Sequence, residues 1–213
     1  MKHGIANAAA LILLSVVVCA AQKDAAEDTR VHRPYREGPL TAADFRVRPP
    51  APNSDDPNRE HAAWIRTRLE YRFQTFRRVD RNGVTLSLAK FEAEAAIIRN
   101  QSWLREPNDR VLSHEQGHFD VMQIIALEWT SQQQAAIAKG DALQVRRDTL
   151  EEANDEMDRL LRKQFTERLE QSDTENEYYD VFTKHGREDD KQTEYHRVQA
   201  RRLEELQKLL KRK

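Results

Sequence analysis

The chain has one cysteine, Cys19, in 213 residues. No disulfide framework and no cysteine-based metal site can be built from it. Aromatic residues make up only 7%, which leaves material for a thin core. Neither charge sign is in excess: the formal net charge is -1, with 35 Lys and Arg against 36 Asp and Glu, interleaved along most of the sequence. That balance gives no electrostatic case for nucleic acid. Long apolar runs are missing as well. The one run, Ala8 to Val18, is broken by Ser15 and is too short for a bilayer-spanning helix, which needs about 20 apolar residues.

That run has a different use. Lys2 and His3 precede it, and small residues, Ala20 and Ala21, follow. This is the layout of a secretory signal peptide, residues 1–21, cleaved after Ala21. Cleavage would remove Cys19. Lipidation of Cys19 is the alternative and the only route to membrane attachment. In both cases the mature protein lies outside the cytoplasm, periplasmic or secreted.

Residues 22–58 read as a leader. "RPPAPNSDDP" carries four of the seven prolines, and proline favours extended backbone. A more apolar piece near 38–45, "GPLTAADF", is expected to dock. The domain proper is 59–213. Residues 65–75 alternate apolar and polar, which predicts a half-buried strand. Asn82-Gly83 predicts a hairpin turn. The alternation resumes through Val84, Leu86 and Leu88, and then Phe91, Ala93, Ala95 and Ile97. After Pro107-Asn108 the period becomes helical. A helix is expected from about Asp109 to Lys139, stopped by Gly140. A second is expected from Asp141, with Gln144 as its capping-box partner, to about Ser172. A third runs from about Asp189 to Lys211. The fold class expected is α+β: a small antiparallel sheet, then three helices.

The first helix contains "VLSHEQGHFDV". His114 and His118 are four residues apart, so both imidazoles project from one face. Two histidines so placed can chelate one zinc ion, Zn2+. Glu115 lies beside them, where a general base belongs. Gly117 is costly in a helix interior by about 1 kcal/mol, which suggests that another chain or a substrate comes close there. Catalytic zinc usually takes three protein ligands. His185, in a loop before the last helix, is one candidate for the third. Glu151, Glu152 and Glu156, on the following helix, are the others.

Four blocks resemble a family of bacterial proteins described as predicted secreted zinc-dependent proteases, formerly a domain of unknown function. They are "PLTAADF", similar to the family's "LTWxDF" but without its tryptophan; "SW" at Ser102-Trp103; "LSHEQGHFDV" at Leu112 to Val121; and "YDVFTKHG" at Tyr179 to Gly186, with Gln192 following. The resemblance implies a zincin-like metallopeptidase in which His114 and His118 are ligands and Glu115 is the base. It favours His185 as third ligand. It also draws in Asp180, as a partner orienting a ligand histidine, and Tyr179, as a donor to the oxyanion. Asp120 matches too, but sits about 200° around the helix from His118 and is read as structural. The reaction expected is hydrolysis of peptide bonds, with Ala93 to Ile98 as the strand that pairs with a peptide or protein substrate. The competing expectation is a non-catalytic helical scaffold with a vestigial or structural metal site.

Overall fold

Alternating residues from Thr67 to Asp80 and from Gly83 to Ile98 build a long antiparallel hairpin, β4 and β5. The computed structural model describes residues 12–15, 31–49, 51 and 61–211. The expected cleavage point after Ala21 and residues 22–30, 50 and 52–58 of the leader lie outside those residues. Within them the protein is α+β. Three short strands precede the hairpin: β1 (Ile12–Ser15), β2 (His32–Pro34) and β3 (Ala63–Trp64). After it come β6 (Trp103–Leu104), α1 (Asp109–Lys139), β7 (Gln144–Arg147), α2 (Leu150–Thr183) and α3 (Asp189–Lys211). The main sheet has the order β1-β4-β5-β2, with β7 also on β5. All of its pairs are antiparallel. The small pair β3-β6 stands apart.

The hairpin turn is one residue off expectation. Asp80 pairs with Gly83, so Arg81-Asn82 form the loop, and the Asn82 amide donates to Asp80 Oδ1 at 2.8 Å. Gly83 has φ +112°, and a Cβ there would strike the backbone of Arg147 on β7. A bulge at Ala89, where Gln74 pairs with Lys90 and Thr75 with Leu88, shifts the side-chain parity of β5. Leu86 and Leu88 before it, and Phe91, Ala93, Ala95 and Ile97 after it, therefore join one core. An extra residue in a strand has this effect, because side chains alternate with period two. Phe119, Met122, Ala126 and Trp129 of α1, with Ala153, Met157 and Leu161 of α2, complete that core.

Helix α1 is bounded by local chemistry. Asn108 Oδ1 accepts from the Val111 amide, and Gly140 takes the left-handed conformation at the other end. The second helix does not start at Asp141. Gln144–Arg147 form β7 on the edge of β5, with Val145 buried. The helix begins one strand later, capped by Thr149 and Glu152 in a reciprocal capping box. It also does not stop near Ser172 but continues to Thr183. No glycine or proline interrupts that stretch, and Ser172 is buried and bonded to Asn176 one turn on. Among the described residues no helix is long and apolar enough to cross a membrane.

The N-terminal residues pack against α1. Leu40 is buried and its amide donates to Gln116 Oε1 at 2.7 Å. The Tyr35 ring lies against Phe119, and its hydroxyl donates to Asp120 at 2.7 Å. Asp44, 1% exposed, takes Arg99 at 2.7 Å and Arg33 at 3.5 Å. Gln116 and Asp120 thus belong to the helix face opposite the histidines and hold the leader.

Candidate metal centre

His114 and His118 point from α1 toward α2, where Asp180 meets them. Asp180 Oδ1 lies 3.1 Å from His114 Nε2 and 3.2 Å from His118 Nε2. Four donors about 2.0–2.1 Å from a shared tetrahedral centre stand about 3.3 Å apart. The two observed separations match that edge, and the donor set, two imidazoles and a carboxylate, suits a divalent cation. His114, His118 and Asp180 can hold a metal ion.

Each member is positioned by a named contact. His118 donates from Nδ1 to Asn176 Oδ1 at 2.8 Å, which turns Nε2 toward Asp180. Asn176 is in turn held by its own amide, which donates to Ser172 Oγ at 3.2 Å. Ser172, Asn176 and Asp180 are spaced four apart, so one face of α2 carries all three. The His114 ring stacks on Tyr179 with centroids 4.9 Å apart.

Tyr179 is fully buried and does not line the cleft. Its hydroxyl lies 3.2 Å from the His114 carbonyl and 2.9 Å from His196 Nε2. With one proton, it donates to the carbonyl and accepts from His196. It braces the ligand helix from behind, where no substrate oxygen reaches. The oxyanion role expected for Tyr179 is therefore dropped. Asp180, expected to orient a histidine from outside, stands among the ligand atoms themselves.

His185 is close but outside the set. Its Nδ1 is 3.5 Å from Asp180 Oδ1, and its side chain is 64% exposed. Lys184 and His185 both have positive φ, 50° and 54°. That left-handed turn ends α2 and carries the imidazole to the cleft rim. Glu151, Glu152 and Glu156 are excluded. Glu152 is used in the helix cap, and Glu156 pairs with Arg147 and Arg159. Glu156 and Asp180 are 24 residues apart on one helix, about 36 Å at 1.5 Å per residue.

Gly117 is explained by Tyr179. A Cβ at Gly117 would fall 2.7 Å from the ring's Cε1 and nearer still to Cζ and the hydroxyl. The close neighbour is α2 of the same chain, rather than a substrate.

The charges in the site interact. Burial pushes the Glu115 carboxyl up to about 7, with His118 and the Ile65 amide opposing and Asp180 reinforcing. Burial also opposes the charged form of His118, but Asp180, Glu115 and Asn176 outweigh it and raise its pKa. For His114 burial prevails and the pKa falls. Burial works against ionisation of Asp180, yet the hydrogen bonds from His114 and His118 hold it below the usual carboxylate range.

The three groups open into a cleft of about 700 Å³. One wall is His61 to Thr67, the floor is α1, and the other wall is α2 from Leu169 to Asp180. Ser102 fixes the first wall: its Oγ accepts from the Arg66 amide at 2.9 Å and donates to the Ile98 carbonyl at 2.9 Å. Trp103 pairs with Trp64 in that wall. The strand expected to bind substrate, Ala93 to Ile98, is not available. It is flanked by β4 and β2, and the Ala93 and Ala95 amides donate to Thr130 Oγ1 and Gln123 Oε1.

Asn176 and Gln199 went unnoticed in the sequence, Gln192 and His196 were given no role, and Ser172 was read only as a helix end. On α3, Gln192, His196 and Gln199 follow helical spacing along the face toward α1. Gln199 donates to the Gly117 carbonyl at 2.8 Å, His196 reaches Tyr179 and Ser113, and Gln192 donates to the Arg110 carbonyl at 3.4 Å. Polar residues at apolar-stripe positions were the available signal. Compared with known proteins, the chain matches no family model, no curated protein and no solved structure.

Proposed function

We propose that this protein is an exported zinc-dependent metallopeptidase, with His114, His118 and Asp180 as ligands and Glu115 as general base. The observation that carries the reading is the place of Glu115. It is a buried carboxyl, 5% exposed, next to three converged ligand atoms and opening into the same cleft. A purely structural metal site gains nothing from such a group, and holding it there costs desolvation free energy.

When bound, zinc supplies Lewis acidity, lowering the pKa of a coordinated water and polarising a carbonyl. The residues then divide the remaining work. Glu115, with its pKa near neutrality, takes a proton from the attacking water and returns it to the leaving amine. Asn176 fixes the His118 tautomer so that Nε2 presents its lone pair. Tyr179 holds both imidazoles from behind. The cleft accommodates an extended chain. Arg110 and Met122 mark its two ends on α1 and are 12 residues apart, about 18 Å. That length takes five to six residues at about 3.3 Å each. The wall at His61 to Thr67 is the segment against which a peptide lies.

Two measurements test this. Zinc content of purified wild type is expected near one equivalent, and Glu115→Gln is expected to keep the metal while losing peptide hydrolysis. Absence of zinc in the wild type refutes the site. Zinc-loaded wild type no more active than Glu115→Gln refutes catalysis and favours a metal-bearing scaffold.

A further inference from the structure

His118 has a side-chain acceptor for its outer nitrogen, and His114 has none in hydrogen-bond contact. His114 Nδ1 is buried without a partner. A ligand imidazole that binds through Nε2 carries its proton on Nδ1, and that N–H needs an acceptor. A buried acceptor without a donor lies close by. Gln192 is 5% exposed, and its Oε1 is likewise buried and unpartnered. The two groups flank the same point. A Cβ on Gly186 would sit 2.9 Å from His114 Cγ and 3.0 Å from Gln192 Oε1. Only because residue 186 lacks a side chain do the imidazole and the amide share that space. The other end of the Gln192 amide is occupied, since Nε2 donates to the Arg110 carbonyl. That bond assigns the oxygen end to the Gly186 side.

We propose that Gln192 is the positioning residue for His114, its Oε1 accepting the Nδ1 proton as Asn176 Oδ1 does for His118. The two ligand histidines are then held symmetrically in function: one by an amide from α2, the other by an amide from α3. Gly186 provides the gap that allows the second contact. Binding of a metal at Nε2 fixes the Nδ1–H tautomer, and a small side-chain rotation of Gln192 pairs two groups that are otherwise both unsatisfied. Leaving buried polar groups unpaired is costly, so this contact gives α3 a direct part in metal affinity. The inference rests on the ligand set proposed above.

The test compares Gln192→Ala with Gln192→Glu by zinc competition against a chromogenic chelator. Gln192→Ala is expected to bind zinc about 10–100-fold more weakly, the usual loss for such an outer partner. Gln192→Glu keeps an acceptor but loses the donor to the Arg110 carbonyl, and is expected to stay within about threefold of wild type on that argument. Zinc affinity unchanged in Gln192→Ala overturns the proposal. So does Gln192→Glu as weak as Gln192→Ala, since the amide would then serve only to tie down α1. If Gln192→Ala does not fold, nitrogen-15 NMR of zinc-loaded wild type decides. His114 is expected as the Nδ1–H tautomer with a hydrogen-bonded proton that Gln192→Glu alters; a freely exchanging Nδ1 proton overturns it. Wild type that binds no zinc refutes the ligand set, whereas zinc-binding wild type with an indifferent Gln192→Ala refutes this inference alone.

Discussion

Gly117→Ala sets two effects of opposite sign against each other. In an ordinary helix interior, alanine in place of glycine stabilises by about 0.8–1.0 kcal/mol. Here the added methyl meets the Tyr179 ring, with Cε1 at 2.7 Å and two further atoms nearer. Ordinary carbon contacts lie at about 3.5–4.0 Å, so the overlap approaches 1 Å or more. Tyr179 has nowhere to retreat. It is fully buried, packed between the His114 and His118 rings and against Tyr195. Overpacking of this kind costs about 1–3 kcal/mol, and more when the neighbours are fixed. Taking the upper end and subtracting the helix gain leaves a net destabilisation of about 2 kcal/mol. In a chain of this size that lowers Tm by about 4–8 °C. The displaced tyrosine also moves Asp180, its neighbour in sequence, so zinc affinity falls with stability. Denaturant unfolding of the metal-free protein and zinc competition measure the two effects. A variant as stable as wild type, or more stable by the helix-propensity amount, refutes the close approach of α2 to Gly117 and the bracing role given to Tyr179.

Asp180→Ala is expected to reduce zinc affinity by more than the 10–100-fold typical of lost outer partners, while His185→Ala changes it by less than about tenfold on the same scale. Chelator competition on the two variants checks this, and the reverse order would make His185 the third ligand. Zinc affinity is expected to fall as pH drops. His118 has a raised pKa, with burial opposing and Asp180, Glu115 and Asn176 prevailing, so its proton competes with the metal as pH falls, by about tenfold per pH unit once it is protonated. Competition titrations from pH 8 to 5.5 test the sign; a flat profile refutes His118 as a ligand. Asp44→Ala removes the buried carboxylate shared by Arg99 and Arg33, leaving Arg33, which is 6% exposed, with the exposed Glu37 at 3.8 Å. Breaking a buried pair costs about 3–5 kcal/mol. Limited proteolysis near residues 31–45 should then accelerate, and an unchanged cleavage rate argues against this anchor for the leader.

Helix α1 was legible because its signals are local. Asn108 caps it, Gly140 ends it, and the four-residue spacing of His114 and His118 places both on one face whatever surrounds them. The hairpin was legible for the same reason, through its period-two pattern and a turn displaced by a single residue. Gln144 was misread as a helix-cap partner because the edge of β5, which makes Gln144–Arg147 a strand, is about 60 residues away in sequence. Ser172 was misread as a helix end because its partner Asn176 is visible only once the helix exists.

The same division holds at the site. Sequence alone placed two candidate ligands, His114 and His118, beside the Glu115 carboxyl, since helix geometry fixes how residues one turn apart are arranged. Which third side chain joins them was decided by tertiary structure. His185 is the better metal ligand by chemistry, but the left-handed turn at Lys184 and His185 directs it to the rim. Continuation of α2 past Ser172 brings Asp180 between the two imidazoles instead. Asn176 and Tyr179 lie 58 and 65 residues beyond the histidines they touch (176 - 118 and 179 - 114). No periodicity reports contacts at that separation; only the packing of α2 on α1 creates them.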